Sequence, residues 1–129
     1  MEDCIFCKIA AGEIPSYKVY EDDFFYGFLD IVPRAKGHTL LIPKKHYRWV
    51  YDVPQFGAYW EAVQKITSRM QEKLHPTFVS YITYGLDVTH AHIHILPRDG
   101  KEGVFPQARQ IPAEEMEEIA RLLRNGEER

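Results

Sequence analysis

The segment His90-Ala91-His92-Ile93-His94-Ile95-Leu96 constrains this chain more than any other. Its histidine and apolar positions alternate with a period of two, the repeat of a β-strand, in which residues i, i+2 and i+4 share one face. His90, His92 and His94 are expected to line one side, with Ala91, Ile93 and Ile95 available to a core. Packing alone is a poor account of three imidazoles in a row. Histidine is not a strong strand former, and each buried ring brings two nitrogens that need partners. Two chemical readings remain, metal binding and nucleophilic or acid-base catalysis, and both use an imidazole whose ordinary pKa of about 6.5 leaves a lone pair free at neutral pH. Spacing does not separate them.

The rest of the chain supplies a sheet for that strand. Tyr17 to Glu21, Phe24 to Asp30, His38 to Ile42 and Thr77 to Tyr84 read as strands, separated by turns at Ala11 to Ser16, Asp22-Asp23 and Val32 to Gly37. Period-two spacing sets Phe24, Tyr26, Phe28 and Asp30 on one face of the second strand, so a single acid shares its face with aromatics. That suits a nucleoside pocket, although spacing alone favours an edge-of-sheet carboxylate capping the next turn. Phe56, Tyr59, Trp60, Val63, Ile66, Thr67, Met70 and Leu74 recur at three and four, the core stripe of an amphipathic helix bounded by Pro54 and Pro76. Pro112, Glu114 and Glu115 open a C-terminal helix over about 112–124, stopped by Asn125-Gly126, with a frayed tail beyond. Pro97 to Gln110, about fourteen residues, is a surface loop long enough to suggest binding or an interface.

Hairpin-like connections with the helices kept to one side predict an α+β fold, an antiparallel sheet of about five strands with two main helices. The 129 residues suffice for a single domain over 1–129, and neither a repeat nor a linker divides them. A hydrophobic content of 45% is that of a folded globular protein, and a net charge of −3 with a pI near 6.1 argues against one that coats nucleic acid polymers or anionic membranes. No apolar run has a membrane span's length, and Met1-Glu2-Asp3 is the reverse of a basic signal start, so a cytoplasmic location is expected. The two cysteines, Cys4 and Cys7, have the spacing of half a metal site or of a redox pair.

With these segments in view, the chain resembles the histidine triad (HIT) family of nucleotide hydrolases and transferases, whose signature alternates histidine with apolar residues as positions 90–96 do. The likeness extends to Cys4-Ile5-Phe6-Cys7-Lys8-Ile9, Gly12-Glu13-Ile14-Pro15, Phe28-Leu29-Asp30-Ile31 and the run His38 to His46, in family order. The resemblance implies that His92 is the nucleophile at the α-phosphorus of a nucleotide, forming a nucleotidyl-imidazole intermediate, with a backbone carbonyl fixing its tautomer. It implies that His94 and His38 line the phosphate site as hydrogen-bond donors. Asp30 then corresponds to the acid that binds the ribose hydroxyls, and Ile5, Phe6, Ile9 and Phe28 to the apolar walls around a base, with a purine the family expectation.

The same resemblance assigns Cys4, Cys7, His46 and His90 to a structural zinc site, a suitable tetrahedral set of two thiolates and two imidazoles. Alone, the Cys-x-x-Cys is a weak signal, and His46 is otherwise a surface residue beside Lys44 and Lys45. One stretch departs from the family pattern. Relatives carry amide and hydroxyl side chains just before the triad, where this chain has Leu86-Asp87-Val88-Thr89. A carboxylate at Asp87 repels phosphate unless it turns away or is neutralised. Thr89 is the replacement hydroxyl for nucleotide binding, although strand alternation points it away from the histidines. The alternatives to an enzyme are a nucleotide-binding regulatory module with little catalysis, and a zinc protein whose triad is a metal site. Family members of this size commonly form homodimers.

Overall fold

The computed structural model describes residues 3–100 and 102–124. Five strands, β1 (Lys18–Glu21), β2 (Phe25–Leu29), β3 (Thr39–Pro43), β4 (Phe78–Ile82) and β5 (Ile93–Arg98), form one antiparallel sheet in the order β1-β2-β3-β5-β4. The α+β class stands, but the connections are not all hairpin-like. β3 and β4 both run antiparallel to β5 and so parallel to each other, an arrangement that needs a crossover. The helix α2 (Phe56–Leu74) provides it, and β5 returns between the two strands.

Strand alternation divides the buried side chains into two layers. Val19, Phe25, Leu29, Leu41, Ile93 and Ile95 face α2 and the C-terminal helix α3 (Ala113–Arg124), forming the larger core with Tyr59, Val63, Ile66, Met70 and Leu123. Tyr26, Phe28, Leu40 and Ile42 face the other way and pack on Phe6 and Ile9 of a short helix α1 (Ile5–Ala10). The helices therefore do not all lie on one side as expected. At six residues α1 is too short for its periodicity to be visible in the sequence.

Both ends of β5 differ from expectation. His90, Ala91 and His92 precede β5, and only His94 of the three histidines lies within it. The alternation nonetheless holds, since Ala91, Ile93 and Ile95 are all buried in the larger core. Pro97 and Arg98 belong to β5 and not to the following loop. The pairing with β3 ends at Ile95, so Pro97 sits where the strand has a neighbour on one side only and a missing N–H is tolerated.

On α2, Tyr59, Val63, Ile66 and Met70 are buried as expected, whereas Phe56 is exposed and Trp60 and Thr67 turn toward β4. The predicted stripe thus mixes a core face with a flanking strip. α2 ends at His75, whose left-handed φ of 54° and N–H bond to the Met70 carbonyl close the helix before Pro76. The expected stop at Asn125-Gly126 and the frayed tail lie outside the described residues.

Candidate active site and metal-binding cluster

The triad histidines point to different tasks because each has a different hydrogen-bond partner. His92 Nδ1 lies 2.7 Å from the backbone carbonyl of His90, so this nitrogen carries the proton and donates, leaving Nε2 with its lone pair bare. Burial lowers the pKa of His92, a shift opposed by that hydrogen bond and by the charges of Asp30 and Asp87. Thr83 Oγ1 donates to the His92 carbonyl at 3.0 Å and fixes the backbone that carries the ring.

His38 and His94 form a directed pair. The Arg34 backbone N–H donates to His38 Nδ1 at 3.0 Å, so the proton of a neutral His38 must sit on Nε2, 2.9 Å from His94 Nδ1. His94 Nδ1 is then the acceptor, and its own proton is on Nε2. Burial holds His38 down at about 3 and His94 at about 4, so both rings are neutral at pH 7. Asp30 follows β2 and His38 precedes β3, where the Asp30 N–H bonds to the His38 carbonyl. One Asp30 oxygen accepts from Val32 N–H at 2.9 Å, the turn-capping bond expected of such an acid, while the other lies 3.7 Å from His38 Nε2. The turn-capping reading of Asp30 is thus met by the Val32 bond, while its second oxygen is turned toward His38.

The apolar residues gather at the His92 end. The Phe6 ring centroid is 5.3 Å from that of His92 and 5.6 Å from that of Phe28, both edge-on, and Ile9 packs in the same cluster. Ile5 is 48% exposed and stands outside that cluster, on the open side of α1. Thr89 is exposed, and its neighbour Val88 packs against the Phe6 cluster. Asp87 is exposed, close enough to act on His92 electrostatically.

His90 turns the other way. Its Nε2 donates to the Pro43 carbonyl at 2.8 Å, which leaves Nδ1 to face Cys4 Sγ at 3.2 Å and Cys7 Sγ at 3.4 Å. His46 Nδ1 lies 3.4 Å from Cys7 Sγ, and the four donor atoms fall within 4.8 Å of one another. Two sulfurs and two imidazole nitrogens so placed fit a tetrahedral zinc, with the His90–Pro43 bond as the outer contact that fixes the ligand tautomer. Crowding supports that fit: burial and the neighbouring Cys4 raise the Cys7 thiol to about 11, a cost that a divalent cation would remove. Asp30, His38 and His94 form a second group of close donors, and His92 joins neither.

Sequence reading missed two arginines and an aromatic. Arg48 stacks over Trp49 at 3.6 Å and donates to the Gly85 carbonyl at 2.9 Å, while its neighbour Tyr47 accepts the Ala91 N–H between His90 and His92. Phe105, in the loop after β5, meets His94 edge-on at 5.3 Å, and the Arg34 guanidinium lies over the Phe105 ring 4.1 Å from its centroid. Arg34 and Arg48 are half-buried and lie outside the helices and strands, where there is no periodic signal, so nothing local in the sequence marks them.

Fold and site together define a HIT-type protein. The HIT domain family matches residues 11–101, and the chain belongs to that family. It is 46% identical over 111 residues to Protein hit of Bacillus subtilis, covering 81% of this chain and 77% of the relative. It is 36% identical over 113 residues to the adenosine 5'-monophosphoramidase HNT1 of Saccharomyces cerevisiae, covering 79% and 67%. The crystal structure of a Zn-bound histidine triad family protein from Mycobacterium smegmatis superposes with a TM-score of 0.82 at 36% identity, over 96% of this chain and 92% of that one.

Proposed function

We propose that the protein is a nucleotide hydrolase or nucleotidyl transferase that cleaves at the α-phosphorus of nucleoside phosphoramidates, dinucleoside polyphosphates or related purine nucleotides through a covalent nucleotidyl-His92 intermediate. The observation that carries this reading is the 2.7 Å bond from His92 Nδ1 to the His90 carbonyl, which leaves the lone pair of Nε2 unshared, as a nucleophile requires. In the first step the Nε2 lone pair forms a bond to phosphorus, and the bond to the leaving oxygen or nitrogen breaks, its electron pair going to that atom, which takes up a proton from water when it departs as an amine. In the second, water or another acceptor attacks phosphorus and gives its proton to solvent, the Nε2–P bond breaks, and Nε2 recovers its lone pair. The His94 Nε2–H is a donor for charge developing on the phosphoryl oxygens, oriented through His38. Asp30 grips the ribose, and Ile5, Phe6, Ile9 and Phe28 hold the base. Thr89 is not assigned a contact.

Membership in a family that includes the yeast monophosphoramidase supports the substrate class. Zinc at Cys4, Cys7, His46 and His90 is part of the same reading, supported by the donor geometry and by the Zn-bound mycobacterial relative. The ion would pin α1 beneath the triad segment and take no part in the chemistry. No described helix is long and apolar enough to cross a membrane. A cytoplasmic homodimer working on small nucleotides, and not on nucleic acid polymers or membranes, completes the proposal.

The test is the His92→Ala protein, which is expected to bind adenosine monophosphate with wild-type affinity while kcat on an adenosine phosphoramidate falls by roughly a thousandfold or more. Unchanged turnover would remove His92 from the role. A second reading, a nucleotide-binding module with little turnover, is favoured by Leu86 and Asp87, whose exposed side chains offer phosphate no donor. It predicts tight nucleotide binding without product release above background. The triad as a single metal site fits poorly, because His90 and His94 face different donor groups.

A further inference from the structure

A row of rings extends the site beyond what the nucleotide reading uses. Phe6, His92, His94 and Phe105 follow one another with centroid separations of 5.3, 5.2 and 5.3 Å, and the Arg34 guanidinium closes the row 4.1 Å from the Phe105 ring. The base walls occupy the Phe6 end and the reacting nitrogen the middle. A nucleotide laid along this row directs whatever lies beyond its α-phosphorus toward Phe105 and Arg34.

Arg34 is built into that position. Its Nη1 donates to the Pro106 carbonyl at 2.7 Å, its ring contact is a cation–π pair with Phe105, and the backbone beside it accepts the Arg109 N–H at Pro33, 2.7 Å away. No carboxylate among the described residues forms an ion pair with it, so most of its guanidinium donors remain for a ligand. The charge is also the one this end of the site needs. His38 and His94 are neutral donors, and Arg34 places a full positive charge close enough to influence Asp30, His38 and His94.

We propose that Arg34, seated on Phe105, is a specificity-determining residue that recognises an anionic leaving group, a phosphate chain or another tetrahedral oxyanion attached at the α-phosphorus, in preference to a neutral amine. Resting on the nucleotide reading above, this narrows its substrate class. The loop after β5 then acts as the platform that holds the guanidinium in place, which gives that long segment a task in the site.

Calorimetric binding of adenosine monophosphate and of α,β-methylene adenosine diphosphate, which resists cleavage at the α-phosphorus, separates the possibilities. The wild-type chain is expected to bind the diphosphate analogue at least tenfold more tightly than the monophosphate. Arg34→Gln is expected to cut that advantage below threefold with the monophosphate affinity little changed, Arg34→Lys to keep part of it, and Phe105→Leu to lose most of it. Arg48→Gln, altering the other arginine near the triad, should leave the advantage intact. Equal affinities in the wild type, equal weakening of both ligands by Arg34→Gln, or loss of the advantage in Arg48→Gln alone would overturn the inference while leaving the nucleotide site standing. Binding of neither ligand by the wild type would sink the nucleotide reading and this inference with it.

Discussion

His38 shows how a buried imidazole is made useful without charge. It accepts one backbone N–H, donates one bond and has 1% of its surface exposed. Its folded pKa of about 3 lies below the ordinary 6.5, so between these values the unfolded chain binds the extra proton. Stability is therefore fully present above about pH 6.5 and is lost as pH falls toward 3, on the order of 3–5 kcal/mol from this residue when the loss is complete. Urea midpoints are expected to be flat from pH 7 to 8 and to fall below about pH 6.5. His38→Gln should make the decline shallower; an unchanged slope would show that His38 is not its source. The residue before it is equally constrained. Gly37 has a φ of +92°, and a Cβ there would stand 2.6 Å from Leu74 Cδ1 and 3.1 Å from Pro97 Cγ. Gly37→Ala is expected to cost about 2–3 kcal/mol in thermal unfolding and to displace His38. At this scale alternation set His90, His92 and His94 apart from the apolar Ala91, Ile93 and Ile95, because it is a property of the chain. It could not show their tautomers, which depend on carbonyls and N–H groups such as those of His90, Pro43 and Arg34.

Among the elements, α2 and α3 were legible from their periodicity and prolines, and β2, β3 and β4 from their aromatic and β-branched residues. α1 was not, since one and a half turns leave no repeat to read and its start is set by Cys4, whose sulfur accepts the Cys7 N–H at 3.3 Å. Its position depends on Phe6 and Ile9 meeting the second face of the sheet, a tertiary contact. The proposed zinc adds a second fastening between α1, the segment after β3 and the triad. One zinc per chain is expected by elemental analysis, with removal by a strong chelator at neutral pH lowering the melting temperature by roughly 5–15 °C. Cys4→Ser with Cys7→Ser should reproduce that loss and abolish the chelator effect. Equal melting with and without chelator in the wild type would count against a structural metal.

For the whole molecule, the strand count and antiparallel class could be read from the chain, whereas the order β1-β2-β3-β5-β4 could not. That order depends on α2 crossing the sheet, which only its packing on β5 reveals. The crossing leaves β4 at an edge with Phe78 47% and Tyr81 44% exposed, and the Tyr81 ring meets Trp60 of α2. An open edge lined by aromatics is the surface on which the proposed dimer would form. Sedimentation equilibrium at micromolar concentration is expected to give twice the 15.1 kDa chain mass, and Tyr81→Arg to shift it toward the monomer. A monomeric wild type would remove the dimer from the account.

The central claim is that His92 Nε2 becomes bonded to phosphorus. Mixing the protein with an adenosine phosphoramidate labelled at the α-phosphorus and quenching in alkaline detergent within one turnover tests it directly, since a phosphorus–imidazole bond survives base. The account predicts label on the wild-type chain, mapped to His92 and absent from His92→Ala. Turnover without labelled protein in the wild type, or label that persists in His92→Ala, would contradict it.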